Sequence, residues 1–290
     1  MTGKTETISL SHSKNKLSYG IYDTHTHVWE SNSIATRSAC DATLTAPGSA
    51  EGLLKLMDEN NVIQSLVITP MTLGFDNSIS LDVANRYPDR LLPIVRIDLS
   101  SPYFLETFQG LCGDGARGLR INLHHLPSAD FLLDSKYTKL WLYLESANIP
   151  LFFHCEASQL KVIYAISSQY QKVKIVIDHM GRITSKDGIA SPSFMNLLAL
   201  AELPNTYIKI SSTNYFAEAA GTHSDLSDFI LIILRKFSAD RVLWGSDWPF
   251  SENDGTYASS LEPLLSMKLA DRESTLKKIF YSNFKELLNA

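Results

Sequence analysis

The sequence predicts an α/β protein built as a single closed (β/α)8 barrel, the TIM-barrel class. Three observations carry that expectation. Short, almost wholly apolar segments alternate eight times with helical segments, and apolar strands separated by helices form parallel sheet buried on both faces. No repeat, low-complexity tract or linker interrupts the alternation. The 290 residues leave room for the roughly 250 that such a barrel occupies. An open doubly wound sheet is the runner-up, but the first strand is not followed by the Gly-x-Gly-x-x-Gly turn that fold commonly carries.

The chain divides into a flexible polar extension over residues 1–18, rich in Ser, Thr and Lys, and one barrel domain over 19–290. Residues 22–29 form the first strand. Alternation puts His25 and His27 on one face with Cα atoms roughly 7 Å apart. Residues 30–47 are polar without periodicity, and a loop of that length covers a site or is disordered. An apolar stripe of Leu53, Leu54, Leu56 and Met57 marks a helix over 49–60. Strand two, 64–70, is stopped by Pro70. Helix 77–87 leads to strand 91–99, and helix 104–111 turns at Gly113 and Gly115 into strand 116–123. Three more pairs follow: helix 135–148 with strand 149–155, helix 158–170 with strand 173–178, and helix 193–202 with strand 207–211. Helix 225–237, strand 241–245 and a closing helical region over 272–288 complete the set.

Composition narrows the function. Hydrophobic residues make up 44% and charged residues 20%, ordinary for a soluble globular protein. A net charge of −5 with no Lys/Arg run argues against nucleic acid or an anionic membrane as main partner. The expected partner is a small-molecule substrate, and the expected assembly a monomer or homodimer. No run approaches the ~20 apolar residues of a membrane span, and no signal-peptide core is present, so a cytoplasmic location is expected. Cys40, Cys112 and Cys155 are odd in number and lack C-x-x-C spacing, which argues for a reducing compartment without disulfides or a thiolate metal site. Cys155, beside His154, reads as a small buried apolar residue rather than a nucleophile.

In a (β/α)8 enzyme the chemistry stands at the C-terminal strand ends. Those ends carry His25 and His27, Thr69, Asp98, Arg120 and Asn122, His154, Asp178 and His179, Ser211 and Asn214, and Asp247. Four of the eight histidines fall at three strand ends, and that concentration points to a site. Two imidazoles at the spacing of His25 and His27 can converge on one metal ion, each nitrogen about 2.1 Å from it. They can equally hold one polarised substrate oxygen.

Several blocks resemble a known family. They are Asp23-Thr24-His25-Thr26-His27-Val28-Trp29, Arg117-Gly118-Leu119-Arg120-Ile121-Asn122-Leu123, His154, Val176-Ile177-Asp178-His179-Met180-Gly181-Arg182, Arg241-Val242-Leu243-Trp244-Gly245-Ser246-Asp247-Trp248-Pro249, and the tail from Asn283 to Leu288. Together they resemble the amidohydrolase superfamily, in the amidohydrolase-related branch that holds 2-pyrone-4,6-dicarboxylate lactonase and sugar-acid lactonases. The resemblance implies a barrel of the metal-dependent-hydrolase type. It makes Asp247 the general base on water and lines the carbonyl side with His25, His27, His154 and His179. Arg120 would hold a substrate oxygen, with Asn122, Arg182, Asn214 and Trp248 as further substrate contacts. One divalent ion, zinc before others, would be held by His25, His27, His154 and Asp247. A binuclear centre is disfavoured, because Arg120 and Asn122 stand where binuclear members carry a bridging lysine or glutamate. The pyrone lactonase is regarded as metal-independent, so the ion is expected to be dispensable.

The implied activity is hydrolysis of a small lactone. The extra arginines of the pyrone lactonases after strands five and seven, and a tyrosine in the first loop, are missing here. A doubly anionic substrate would lose charge-assisted contacts of roughly 1.5–3 kcal/mol each, which favours one carboxylate or none. A mononuclear-metal decarboxylase of an aromatic or muconate-type acid is the alternative. Asp178 is expected to orient His179 or to cap the following loop, with His124 and His125 on a solvent-exposed loop and His12 and His223 at the surface. Trp29, Trp244 and Trp248 either wall the pocket or pack around the strand ends.

Overall fold

The computed structural model describes residues 17–29, 48–216, 226–253 and 255–289, with the side chains of 185, 214 and 215 outside that description. Eight strands, β1 Ile21–Thr26, β2 Val62–Ile68, β3 Leu91–Val95, β4 Gly118–Asn122, β5 Leu151–His154, β6 Ile175–Ile177, β7 Thr206–Ile210 and β8 Val242–Trp244, lie side by side in chain order. Every neighbouring pair is parallel. The helices wrapping them are α1 Ala50–Glu59, α2 Ser78–Arg86, α3 Phe104–Gly113, α4 Thr138–Ala147, α5 Leu160–Gln169, α6 Pro192–Ala199 and α7 Ser227–Phe237. The closing region is α8 Arg272–Lys277 and α9 Asn283–Leu288, joined through a π turn over Lys278–Ser282. The predicted barrel and its element order are present. The residues 30–47, His12, His223 and Cys40 lie outside the described residues.

Most strands are shorter than their apolar runs suggest. β3 stops at Val95 because the next amide, Arg96 N, donates to Asn77 Oδ1 at 2.8 Å instead of continuing the ladder. Asp98 is thereby carried away from the strand end. It is exposed and accepts from the Ser100 amide and hydroxyl at 2.9 and 2.6 Å, so its place among the strand-end candidates is corrected.

The barrel interior holds Tyr22, Leu66, Ile68, Ile94, Phe152, Val176, Tyr207 and Leu243, all buried. Phe284 and Leu287 of α9 pack into the same cluster, with Phe284 stacked on Tyr22 at 4.3 Å between centroids. These rings plug the end of the barrel opposite the strand C-termini. A second and larger cluster fills the layer between strands and helices.

β1 and β8 are joined mainly through the segment after β8. Thr26 forms an isolated bridge with Trp248. His27 N donates to Trp248 O and Asp247 N to His25 O, both at 2.8 Å. Thr24 Oγ1 donates to Trp244 O at 2.6 Å. Buried Asp23 completes the seam, accepting from Ser246 N at 3.0 Å and from the Tyr257 hydroxyl at 2.8 Å. Gly245 is needed here for space: a Cβ on it would lie 2.6 Å from His25 Cβ.

β1 also carries a register shift between Asp23 and Thr26. Strict alternation from inward-facing Tyr22 would turn His25 out of the barrel. One extra residue on the bulged strand reverses the alternation, which aims His25 and His27 into the barrel mouth and leaves Asp23 to the seam.

Candidate active site

His25 in β1, His27 just past its end and Asp247 in the segment after β8 converge. His25 Nε2 lies 3.2 Å from His27 Nε2, and each of these nitrogens is 3.5 Å from Asp247 Oδ1. Hydrogen bonds to neighbours fix the tautomers. His27 Nδ1 donates to Ile68 O at 2.7 Å, so its Nε2 presents a lone pair. Ser212 donates its hydroxyl to Asp247 Oδ2. Its oxygen, 3.0 Å from His179 Nδ1, is then an acceptor for a proton there, beside Ser211 Oγ at 2.8 Å.

Beneath this group lies a buried polar layer. Asp178 accepts from Arg120 Nε at 2.9 Å and from Lys209 Nζ at 2.8 Å. Lys209 Nζ is also 3.1 Å from His25 Nδ1. Asp178 and Lys209 are fully buried and Arg120 nearly so. The expectation that Asp178 serves His179 is thus corrected: its oxygens are taken by two cations, and it lies 3.5 Å from His25 Nδ1.

His154 stands to one side. Its Nδ1 is 3.1 Å from Asn122 Nδ2 and its Nε2 3.5 Å from Arg182 Nη1, and its ring centroid is 5.3 Å from that of His179. Arg182 Nε donates to Glu156 at 2.9 Å, and Glu156 also takes His124 Nδ1. His124 thus belongs to a rim cluster rather than to a free loop, while His125 is exposed.

Burial and charge set the protonation states. Burial pushes Asp247 up, but the surrounding imidazoles, His179 first, outweigh it and hold the carboxyl well below the usual range. For Asp178, burial is likewise outweighed by Lys209, His25 and Arg120. Burial, reinforced by Lys209, depresses His25. Burial with Arg120 depresses His154, and burial takes His179 down to about 4. At neutral pH the site therefore holds ionised Asp247 with His25, His154 and His179 neutral. Cys155 is fully buried and its thiol is raised, first by burial, which leaves no thiolate for catalysis.

The family model described as Amidohydrolase matches residues 22–289. The chain belongs to this amidohydrolase family. It is similar to the 4-sulfomuconolactone hydrolase of Hydrogenophaga intermedia, 24% identical over 276 residues, covering 91% of this chain and 87% of that one. It is also similar to the L-fucono-1,5-lactonase of Burkholderia ambifaria, 27% identical over 252 residues, covering 81% and 82%. Among solved structures, an amidohydrolase from Burkholderia multivorans with bound zinc superposes with a TM-score of 0.78 at 20% identity, covering 93% of this chain and 99% of that one.

The amidohydrolase site has a donor set that could hold a metal ion. His25, His27 and Asp247 form a buried group of three, and their 3.2–3.5 Å spacings match the ~3.4 Å edges of a tetrahedron with ~2.1 Å bonds. His154, expected as a fourth ligand, is not in that group. A second grouping of His25, Asp178 and His179 is unsuited, because Arg120 and Lys209 occupy Asp178. Trp248 does not reach the cluster as a substrate contact: it is 2% exposed, and its indole N–H donates to Glu252 at 2.9 Å. The Asn214 side chain lies outside the described residues.

Sequence reasoning missed Lys209, Ser212 and the seam role of Asp23. Lys209 had a signal: it shares a face with inward-pointing Tyr207 and strand-end Ser211. Several site residues of this amidohydrolase hold left-handed backbone, with φ of 52° at His179, 58° at Arg182, 54° at Ser212 and 59° at Asp247. Non-glycine residues in that region cluster at functional sites.

Proposed function

We propose that this amidohydrolase hydrolyses a small lactone, carboxylated or neutral, with Asp247 as general base. The observation that carries the reading is one ionised carboxylate whose Oδ1 lies 3.5 Å from Nε2 of both His25 and His27. An anionic oxygen so placed can take a proton from water held in front of it. The names of the two lactone-hydrolysing relatives support the same substrate class.

Asp247 takes a proton from water as the oxygen attacks the lactone carbonyl. The developing oxyanion is met by His25, with His154 and His179 lining the same side of the site. The tetrahedral adduct collapses with cleavage of the ring C–O bond, and Asp247 returns its proton to the departing ring oxygen, giving a hydroxy acid. Ser212 holds the second Asp247 oxygen and fixes the carboxylate's plane. Arg120 and Asn122 hold substrate oxygens from strand four, with Arg182 and Asn214 at the rim. A zinc ion on His25, His27 and Asp247 would, when bound, polarise the carbonyl and acidify the water.

Charge limits the substrate. Arg120 and Lys209 are balanced by Asp178 and Asp247, and Arg182 by Glu156. With no cation to spare in that set, one substrate carboxylate is tolerated better than two. The test is acid release over a panel of lactones, with and without chelator, for wild type and Asp247→Asn. Hydrolysis that falls by ~10²–10⁴-fold in the variant supports the reading. Carbon dioxide from aromatic acids with no lactone turned over would replace it by a decarboxylase.

A further inference from the structure

Lys209 is a fully buried cation for which the hydrolytic scheme has no task, and its surroundings account for each of its protons. An ammonium has three donors and no acceptor. One points to Asp178 Oδ1 at 2.8 Å and one to His25 Nδ1 at 3.1 Å. The third side faces the Phe152 ring, whose centroid is 4.7 Å away, in the range of a cation–π contact. Burial works against the charge on the lysine and the Asp178 carboxylate in contact with it favours the ammonium; a full set of three partners leaves the ammonium no reason to turn away from His25.

We propose that Lys209 is a positioning residue: by donating to His25 Nδ1 it confines the His25 proton to Nε2, where it faces Asp247 and the reacting carbonyl. The inference rests on the lactone-hydrolase reading for its catalytic meaning, but not for its geometry. His27 holds the complementary tautomer, because its Nδ1 donates to Ile68 O. The 3.2 Å contact between the two Nε2 atoms is then a donor meeting an acceptor rather than two opposed lone pairs. The His25 Nε2–H is poised to donate to a carbonyl oxygen as charge develops on it.

The same hydrogen bond acts against metal. A metal-ligating histidine normally donates its outer N–H to a carboxylate or carbonyl. For His25 to ligate through Nε2, its proton must move to Nδ1, where the ammonium stands. Asp178 Oδ1 waits 3.5 Å from that nitrogen, so removing the lysine offers the proton an acceptor and frees Nε2. Lys209 therefore biases a donor set with tetrahedral spacing towards proton donation and away from zinc.

The experiment uses the full chain, labelled with ¹⁵N-histidine and stripped with chelator. Long-range ¹H–¹⁵N spectra distinguish a protonated from an unprotonated ring nitrogen, and His25→Asn assigns the signal. The expected wild-type pattern is protonated Nε2 and unprotonated Nδ1 at His25. In Lys209→Met the pattern inverts, and zinc affinity, read by competition with a chromophoric chelator, rises roughly 10–100-fold, the usual size of an outer-ligand effect. A wild-type His25 protonated at Nδ1, or equal zinc affinity in the two proteins, overturns the proposal. If the variant does not fold, the wild-type spectrum decides alone. If no lactone is turned over while the tautomer is as stated, the substrate reading fails and the assignment to Lys209 stands.

Discussion

Replacing Gly245 by alanine tests whether the seam between β1 and β8 sets the position of His25. The added Cβ would lie 2.6 Å from His25 Cβ, 3.0 Å from His25 N and 3.3 Å from His25 Cα, where ordinary contact begins at 3.4 Å. The shortfall is about 0.8 Å, and it falls on backbone and Cβ atoms that cannot swing aside like a side-chain tip. The Asp247 N to His25 O bond at 2.8 Å ties the two strands together at that level, so the strain must displace His25 against Asp247. Overpacking of this kind costs about 1–3 kcal/mol. A misplacement near 1 Å at reacting groups can cost ~10²-fold in rate. We expect urea denaturation of Gly245→Ala to show a loss in the upper part of that stability range, and kcat/KM on the best lactone to fall by tens-fold or more. Gly110→Ala in α3 is the control: beyond its chain neighbours and its own helix backbone, nothing lies within 4 Å of its added Cβ, and alanine in a helix gains roughly 0.5–1 kcal/mol over glycine. Gly245→Ala with stability within 0.5 kcal/mol of wild type, a margin well below ~1 kcal/mol, and full activity would refute the argument.

Three further outcomes are expected. Tyr257→Phe removes a donor from buried Asp23, whose carboxyl is pushed up to about 6 by burial. An acid raised in the folded state stabilises most below its unfolded pKa near 3.8, and that contribution is lost as pH rises through 6. Losing the donor should raise the pKa further, so urea curves at pH 8 should show a deficit of ~1–3 kcal/mol that shrinks at pH 5. Ser212→Ala removes the hydroxyl that donates to Asp247. Because Asp247 must be ionised to act and its pKa is now depressed, the acid limb of the kcat/KM–pH profile should move to higher pH, with a rate loss of roughly tenfold from ~1.4 kcal/mol. An unmoved limb would count against Asp247 as base. Arg182→Met should raise KM for carboxylated lactones about tenfold or more, for a charge-assisted contact of ~1.5 kcal/mol or more, and leave neutral lactones alone. Equal effects on both substrate types would place Arg182 outside the carboxylate's reach.

What was legible in the sequence follows from which physical signal each residue leaves. Alternating apolar strands and helices specify the barrel, because parallel strands must be buried on both faces. His154, Asp178 and His179 could be placed at the mouth by strand ends alone. The expectation for His25 and His27 needed more than alternation, since only the extra residue in β1 turns them inward, and a bulge leaves no mark in the hydrophobic pattern. Asp98 failed because Asn77, from another element, took over the amide after Val95. Trp248 failed because an aromatic beside a site and an aromatic in the core have the same composition. The tie of Asp178 to Lys209 and Arg120 was hidden because it joins three strands, and no spacing along one strand encodes it.

Taking two cations and two anions into the barrel mouth costs several kcal/mol per ion before pairing, and the chain offsets that cost by leaving few donors idle. Lys209 spends its three protons on Asp178, His25 and Phe152; Asp178 accepts from two cations. Asp247, by contrast, is given one hydroxyl and two imidazoles at 3.5 Å, looser contacts than Asp178 receives from its cations. The difference separates two carboxylates that are equally ionised. Asp178 is locked by short bonds to permanent charges and cannot exchange a proton without stranding them. Asp247 faces neighbours that can adjust by a proton or a fraction of an ångström, which is what a base that must accept and return a proton in each cycle requires. If Asp178→Asn lost activity only through lowered stability while Asp247→Asn folded normally and was inactive, that division would hold. A folded, inactive Asp178→Asn with wild-type stability would reverse it.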